Sequence, residues 1–208
     1  MIDYLDKGII VLDGADGVGK STQIEMLKNS FSNSQIEFIK FPVYDSDMGF
    51  YITNYLKGNL NHIFEGLDYM DRIKKISTLY TMDRVSWFNQ YYNKYKPLIC
   101  DRYTTSNIIH MSGLLALNGA TLDEIHSYID WLHNLEYWKL NIPRPTMVIY
   151  LDAPYKELMK HLNTTDKVLD IHENNELLEK IDSINKYFKD LASRGVLYDK
   201  FDNKAEID

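Results

Sequence analysis

The chain has 208 residues, 45% of them hydrophobic, which is enough for the core of one α/β domain. Its 30 acidic against 23 basic residues give a formal net charge of −7. That balance excludes a broadly basic surface for gripping nucleic-acid phosphates, so any anion must be held by a local cluster. The single cysteine, Cys100, excludes an intrachain disulfide framework and fits a reducing cytoplasm. The acidic start MIDYLDKG and the short apolar runs elsewhere predict a soluble protein with no membrane partner.

Gly8 to Leu12 predicts a buried strand that runs through a glycine turn into Lys-Ser-Thr at a helix start. Gly14, Gly19, Lys20 and Ser21 satisfy the spacing G-x-x-x-x-G-K-[ST]. Such a turn converges backbone N–H groups on phosphate oxygens, and the helix N-terminus adds partial positive charge. The predicted ATP-binding residues are Gly14, Gly17, Val18, Gly19, Lys20, Ser21 and Thr22, with Lys20 reaching the β/γ-phosphates and Ser21 a Mg²⁺ ion. Asp16 lies inside this loop, where a carboxylate turned inward would repel a triphosphate; it faces either a second substrate or solvent.

The following helix places Ile24, Leu27 and Phe31 on one face and stops at Ser32-Asn33-Ser34. A second strand is expected over Ile36 to Phe41, and a short helix over Gly49 to Lys57, closed by Gly58. From Leu67 to Tyr95, Ile73, Ile76, Tyr80, Trp87 and Tyr91 recur at helical spacing until Pro97 ends the run. On this helix Arg84 falls one turn beyond Tyr80, and an arginine with an aromatic suits a nucleotide, although a tyrosine among 16 also reads as packing. Only five basic residues are arginine, the side chain suited to bidentate phosphate contacts.

Leu98 to Cys100 predicts the third strand, and Asp101 stands at its C-terminal end, where ligands bind in open α/β sheets. Beside a phosphate loop, Asp101 can hold Mg²⁺ or accept a proton from the nucleophile, and Arg102 can neutralise a phosphate. Taken alone, Asp101 reads equally as a solvated strand end. A helix is expected from Thr105 to Asn118, and Thr121 with Glu124 forms a capping box for another reaching Lys139. Pro143 and Pro145 precede a strand over Met147 to Leu151.

Beyond Asp152 the pattern gives a short helix, a polar candidate lid over Asn163 to Leu169, and a helix through Leu177, Leu178, Ile181, Ile184 and Leu191. Val196 to Phe201 could add a fifth strand. The expected whole is a single α/β domain over residues 1–208: a P-loop NTPase fold with a five-stranded parallel sheet, helices on both faces and a short lid at about 160–173. Asp170, His172 and Glu173 read better as residues complementing a helix dipole than as metal ligands.

The segments LDGADGVGKSTQ, FPVYDSDMGFYITNYLKG, LYTMDR, DRYTTSNIIH and LDIHENNELL occur in this order. The ordered set resembles the thymidylate kinases, a branch of the P-loop nucleoside monophosphate kinases, over most of the chain. The resemblance implies that ATP, with Mg²⁺, gives its γ-phosphoryl group to dTMP, yielding dTDP and ADP. It implies that Asp16 lies near the acceptor 3′-hydroxyl, Phe41 and Pro42 beside its sugar, and Tyr80 stacked on thymine. Arg84 and Arg102 would serve the acceptor base and phosphate, and Ser106 and His110 would lie near base and deoxyribose, where bulk excludes a ribose 2′-hydroxyl. A homodimer is also implied.

Two departures stand out. In the branch with glycine after the loop acid, as Gly17 is here, the lid supplies arginines, yet Lys160 to Leu169 contains none; Lys167 is the expected catalytic substitute. Val43 and Tyr44 stand where some relatives carry an arginine for the acceptor phosphate. A kinase for another substrate (dUMP, a modified pyrimidine nucleotide or a deoxynucleoside) and a non-catalytic P-loop sensor remain alternative readings.

Overall fold

The computed structural model describes residues 8–14, 17–32 and 35–151. Strand β1 (Ile9–Gly14) leads into helix α1 (Lys20–Ser30), then β2 (Glu37–Lys40), α2 (Asp47–Leu56) and α3 (Tyr69–Tyr91). There follow β3 (Leu98–Asp101), α4 (Thr104–Leu117), α5 (Leu122–His133) and β4 (Met147–Leu151). A short 3₁₀ turn at Asn61–Phe64 joins α2 to α3, and α5 continues into a π-helical segment, Asn134–Lys139.

Among the described residues the sheet has four strands in the order β2-β3-β1-β4, all pairs parallel. Residues at Ile9↔Leu98 through Leu12↔Asp101 are opposite one another, so successive side chains sort onto two faces. Ile10, Leu12, Ile36, Phe38 and Ile99 pack against Ile24 and Leu27 of α1. Ile9, Val11, Ile39, Leu98 and Cys100 pack on the other face with Val85, Trp87 and Phe88 of α3 and with Tyr103. Burial on both sides is why β1 and β3 read as apolar runs up to their last residues.

A second core joins the helices through Tyr55, Phe64, Ile73, Ile76, Ile108, Met111, Leu115, Ile125, Tyr128, Ile129 and Leu132. Leu132 is wholly enclosed, so truncation to alanine would cost about 2–5 kcal/mol.

Local chemistry sets the helix starts. Ser46 accepts from Gly49 N at the start of α2, Asp68 from Asp71 N at α3, and the Thr121–Glu124 capping box forms as expected at α5. Several ends differ from the expected ones. Helix α1 stops at Ser30, leaving Phe31 as its C-cap with the ring 40% exposed instead of on the inner face. Helix α3 ends at Tyr91, which is 64% exposed and stands beside Trp87 at a centroid distance of 6.3 Å. The expected helix to Lys139 changes hydrogen-bond register at Asn134, with Leu140 N donating to Leu135 O at 3.0 Å. The expected lid, the two helices beyond Asp152 and the fifth strand lie outside the described residues.

Candidate active site

The C-terminal ends of β1 and β3 place the loop Gly14–Lys20 beside Asp101 and Arg102. Gly14, Gly17 and Gly19 all have positive φ, at 143°, 83° and 96°. At Gly14 space also forbids a side chain, since a Cβ would lie 2.3 Å from the Leu151 carbonyl oxygen. No side chain caps the start of α1, whose cap residue is Gly19. The first-turn N–H groups therefore face outward without a side-chain acceptor, the arrangement that receives a phosphate.

Lys20 is buried, and its ammonium donates to Gly14 O at 2.9 Å, which folds the side chain back along the loop. Ser21 and Thr22 are exposed at the helix start, and Val18 is half-buried. Asp16 lies outside the described residues, as does Lys167.

Asp101 shares the sheet face of Leu12, the α1 face, because the two are register partners. It is 3% exposed; Oδ2 lies 3.7 Å from Lys40 Nζ, and Oδ1 has no hydrogen-bond partner among the described residues. A buried carboxylate oxygen without a donor carries a desolvation penalty that a cation would relieve. The Asp101 carboxylate and the Ser21 hydroxyl at the start of α1 are hard oxygen donors of the kind that suits Mg²⁺. Among the described residues no group of three or more His, Cys, Asp or Glu could hold a metal ion.

Arg102 takes the left-handed backbone region with φ 70°, an uncommon state for a residue with a side chain. Its N–H donates to Leu12 O at 2.9 Å, and its guanidinium lies 3.1 Å from His110 Nε2, across the first turns of α4. Ser106, on the same helix, donates to Asp13 Oδ1 at 2.5 Å, and Gly14 N donates to the same oxygen at 2.9 Å. Asp13 Oδ2 is buried and has no partner among the described residues. One carboxylate thus ties the phosphate loop to α4.

Arg84 is closed off from solvent. The residue is 2% exposed and enclosed by Glu136, which is 0% exposed. Arg84 Nε donates to Glu136 Oε2 at 3.1 Å, and its Nη2 donates to Oε1 in a close ion pair. Thr81 Oγ1 donates to Oε1 at 2.7 Å and Thr104 Oγ1 to Oε2 at 2.5 Å. Burial works against the arginine's charge, and Glu136, by charge and hydrogen bonding, outweighs it, so the guanidinium pKa lies above its ordinary value.

Phe41 is enclosed likewise. Its ring is 2% exposed among Trp87, Phe88 and Tyr103, at centroid distances of 5.8, 6.2 and 6.0 Å, so it shapes the loop from within. Phe41-Pro42 is a cis peptide. The chain after Pro42 is held by Asp83 on α3, which accepts from Val43 N at 3.0 Å and from Ser46 Oγ at 3.3 Å. Tyr80 is half-buried against the helical core.

Asp13, Asp83 and Glu136 were missed by the sequence reading. The signal for Glu136 was available: Ile125, Ile129 and Leu132 form a buried stripe, and position 136 continues it at helical spacing with a carboxylate.

Residues 12–199 match the family model described as thymidylate kinase. A thymidylate kinase of Plasmodium falciparum (isolate 3D7) is 29% identical over 200 residues, covering 90% of this chain and 80% of that protein. A probable thymidylate kinase of Methanosphaera stadtmanae is 32% identical over 177 residues, covering 82% of this chain and 78% of that protein. The solved structure of thymidylate kinase from Candida albicans superposes with a TM-score of 0.67 at 20% identity, over 98% of this chain and 83% of that one. Deoxyadenosine kinase from M. mycoides, with dCMP and a flexible dCDP bound, gives 0.59 at 20% identity over 96% and 88%. At such identity the two structures establish the shared fold.

Proposed function

The chain belongs to the thymidylate kinase family, and we propose that it works as that family's enzyme, with the residues described above in the following roles. It transfers the γ-phosphoryl group of ATP to the 5′-phosphate of dTMP, giving dTDP and ADP. The observation that carries this reading is a glycine loop with positive φ at Gly14, Gly17 and Gly19, opening beside a buried, half-satisfied Asp101 at the neighbouring strand end.

Such a transfer calls for little covalent help from the protein, and positioning with charge neutralisation supplies the rate. Lys20 would leave the Gly14 carbonyl for the β/γ-phosphates. Ser21 and Asp101 would hold Mg²⁺, whose chemistry is to neutralise charge on the β- and γ-oxygens. Arg102, with His110, would meet the acceptor phosphate and sugar, Tyr80 and Arg84 would bound the base, and Ser106 would support that wall through Asp13. Asp16 would face the acceptor 3′-hydroxyl, and Lys167 would bring positive charge to the transferring group. No helix among the described residues is long and apolar enough to cross a membrane. We place the enzyme in the cytoplasm as a homodimer with no nucleic-acid partner.

ADP release measured with ATP, Mg²⁺ and a panel of nucleosides and monophosphates tests the reading. The expected order has dTMP first and ribonucleotides poor; a panel led by dGMP, dCMP or thymidine overturns the acceptor assignment.

A further inference from the structure

Two helices carry the proposed acceptor residues, and one buried carboxylate on a third element touches both. Helix α3 carries Tyr80 and Arg84, with Thr81 between them; the first turns of α4 carry Ser106 and His110, with Thr104 two residues after Arg102. Glu136 stands in the π-helical segment after α5 and receives Thr81 and Arg84 from α3 and Thr104 from α4. Both of its oxygens are engaged twice, and it is wholly enclosed.

We infer that Glu136 is a positioning residue for the acceptor site: its carboxylate locks the Tyr80–Arg84 stretch of α3 to the first turn of α4 by accepting from Thr81, Arg84 and Thr104. This rests on the reading of the chain as a dTMP kinase and assigns a role to a residue outside every motif the sequence offered. The geometry favours a locking role over mere packing. An apolar side chain would continue the Ile125, Ile129, Leu132 stripe, whereas a carboxylate there must be fully hydrogen-bonded and so fixes the directions of its donors. Arg84 Nε and Nη2 meet the two oxygens separately, a fork-to-fork contact that sets the guanidinium plane. Thr104 is the first residue of α4, and no side chain caps that helix at Tyr103, so the link to Glu136 anchors its first turn. The π-helical register is itself frequent at functional sites.

The test is steady-state kinetics with ATP and dTMP varied separately, with direct dTMP binding by calorimetry. Glu136→Gln keeps the shape and loses the charge and one acceptor. It should raise KM for dTMP at least about tenfold while KM for ATP stays within about twofold. Thr104→Val keeps the volume and the Arg84–Glu136 pair, so it carries the test should Glu136→Gln fail to fold; a rise in KM for dTMP of about threefold is expected. Thr104→Ser restores the hydroxyl and should return wild-type values. Unchanged dTMP binding in the folded variants, or KM values for ATP and dTMP rising together, makes Glu136 a fold element only and overturns the inference. A wild-type chain inactive on dTMP overturns the acceptor assignment instead, and the same variants are then read against whichever acceptor the panel selects.

Discussion

Replacing Glu136 with leucine should unfold the protein far more easily than replacing both members of the ion pair. Arg84 is 2% exposed, and its charge is balanced by Glu136. Removal of the carboxylate leaves a guanidinium in the core without its counter-charge, a loss of about 3–5 kcal/mol. Thr81 adds little, since its hydroxyl also lies 3.0 Å from Ser77 O and can remain bonded there. Domains are held by only about 5–15 kcal/mol, and for a chain of this size each kcal/mol moves Tm by roughly 2–4 °C. Glu136→Leu should therefore lower Tm by roughly 6–20 °C. The double variant Glu136→Leu with Arg84→Met places apolar side chains of similar volume in the same space and loses only the hydrogen bond from the buried Thr104 hydroxyl, so its stability should come within about 1–3 kcal/mol of wild type and above the single variant. Urea unfolding followed by far-UV circular dichroism measures all three chains. A single variant weakened by less than about 1 kcal/mol, or a double variant as weak as the single one, refutes the account of the pair as a buried charge balanced by its partner.

Lys20→Ala should abolish turnover with an unchanged far-UV spectrum, because the ammonium serves phosphate charge; near wild-type transfer would remove the phosphate-loop assignment. Burial lifts the Asp83 carboxyl above the ordinary aspartate range, against the pull of Val43 N–H, Arg84 and Ser46. A raised folded pKa gives stability that is complete below the unfolded pKa and is lost as pH rises through the folded one. Wild type should therefore gain on Asp83→Asn as pH falls across that window in unfolding titrations, and a flat or reversed difference counts against the assignment. Loss of the thymine methyl is worth about 1–3 kcal/mol in an apolar pocket, so dUMP should trail dTMP in kcat/KM by roughly 5–150-fold, and equal use of both would rule out such a pocket. Lys167→Ala should slow single-turnover transfer at least about tenfold, or about 1.4 kcal/mol; an unchanged rate places the missing charge elsewhere.

What was legible in the sequence is what short-range chemistry dictates. Positive φ at Gly14, Gly17 and Gly19, the reciprocal bonds of Thr121 and Glu124, and Asp101 at the end of a buried strand each depend on neighbours within a few residues. Arg84 was legible as a residue and not as an environment, since its partner lies 52 positions away on an element that carries no motif. Phe41 was placed on the right loop, but whether its ring faces a sugar or Trp87 and Phe88 depends on how α3 crosses the sheet. Phe31 and Tyr91 fit their apolar periodicities and still stand exposed, because a period names a face and says nothing of where its neighbour ends.

Alternation along the strands also sends two carboxylates so close in the sheet to different faces. Asp101 is the register partner of Leu12, so it projects to the α1 face, beside Lys40 and the helix that opens with Lys20 and Ser21. Asp13, one residue further along β1, projects to the opposite face and is met by Ser106 of α4. Under the proposed function, the donor and its metal would take one side of the strand ends and the acceptor the other, with the chain turning at Gly14 between them. Because side chains alternate with period two, a slip of β1 by one residue against β3 would bring Asp13 and Asp101 onto one face and strip the acceptor side of its anchor. Register, held by apolar residues on both faces of β1, would therefore be what separates the two halves of the proposed reaction; no single side chain could do so.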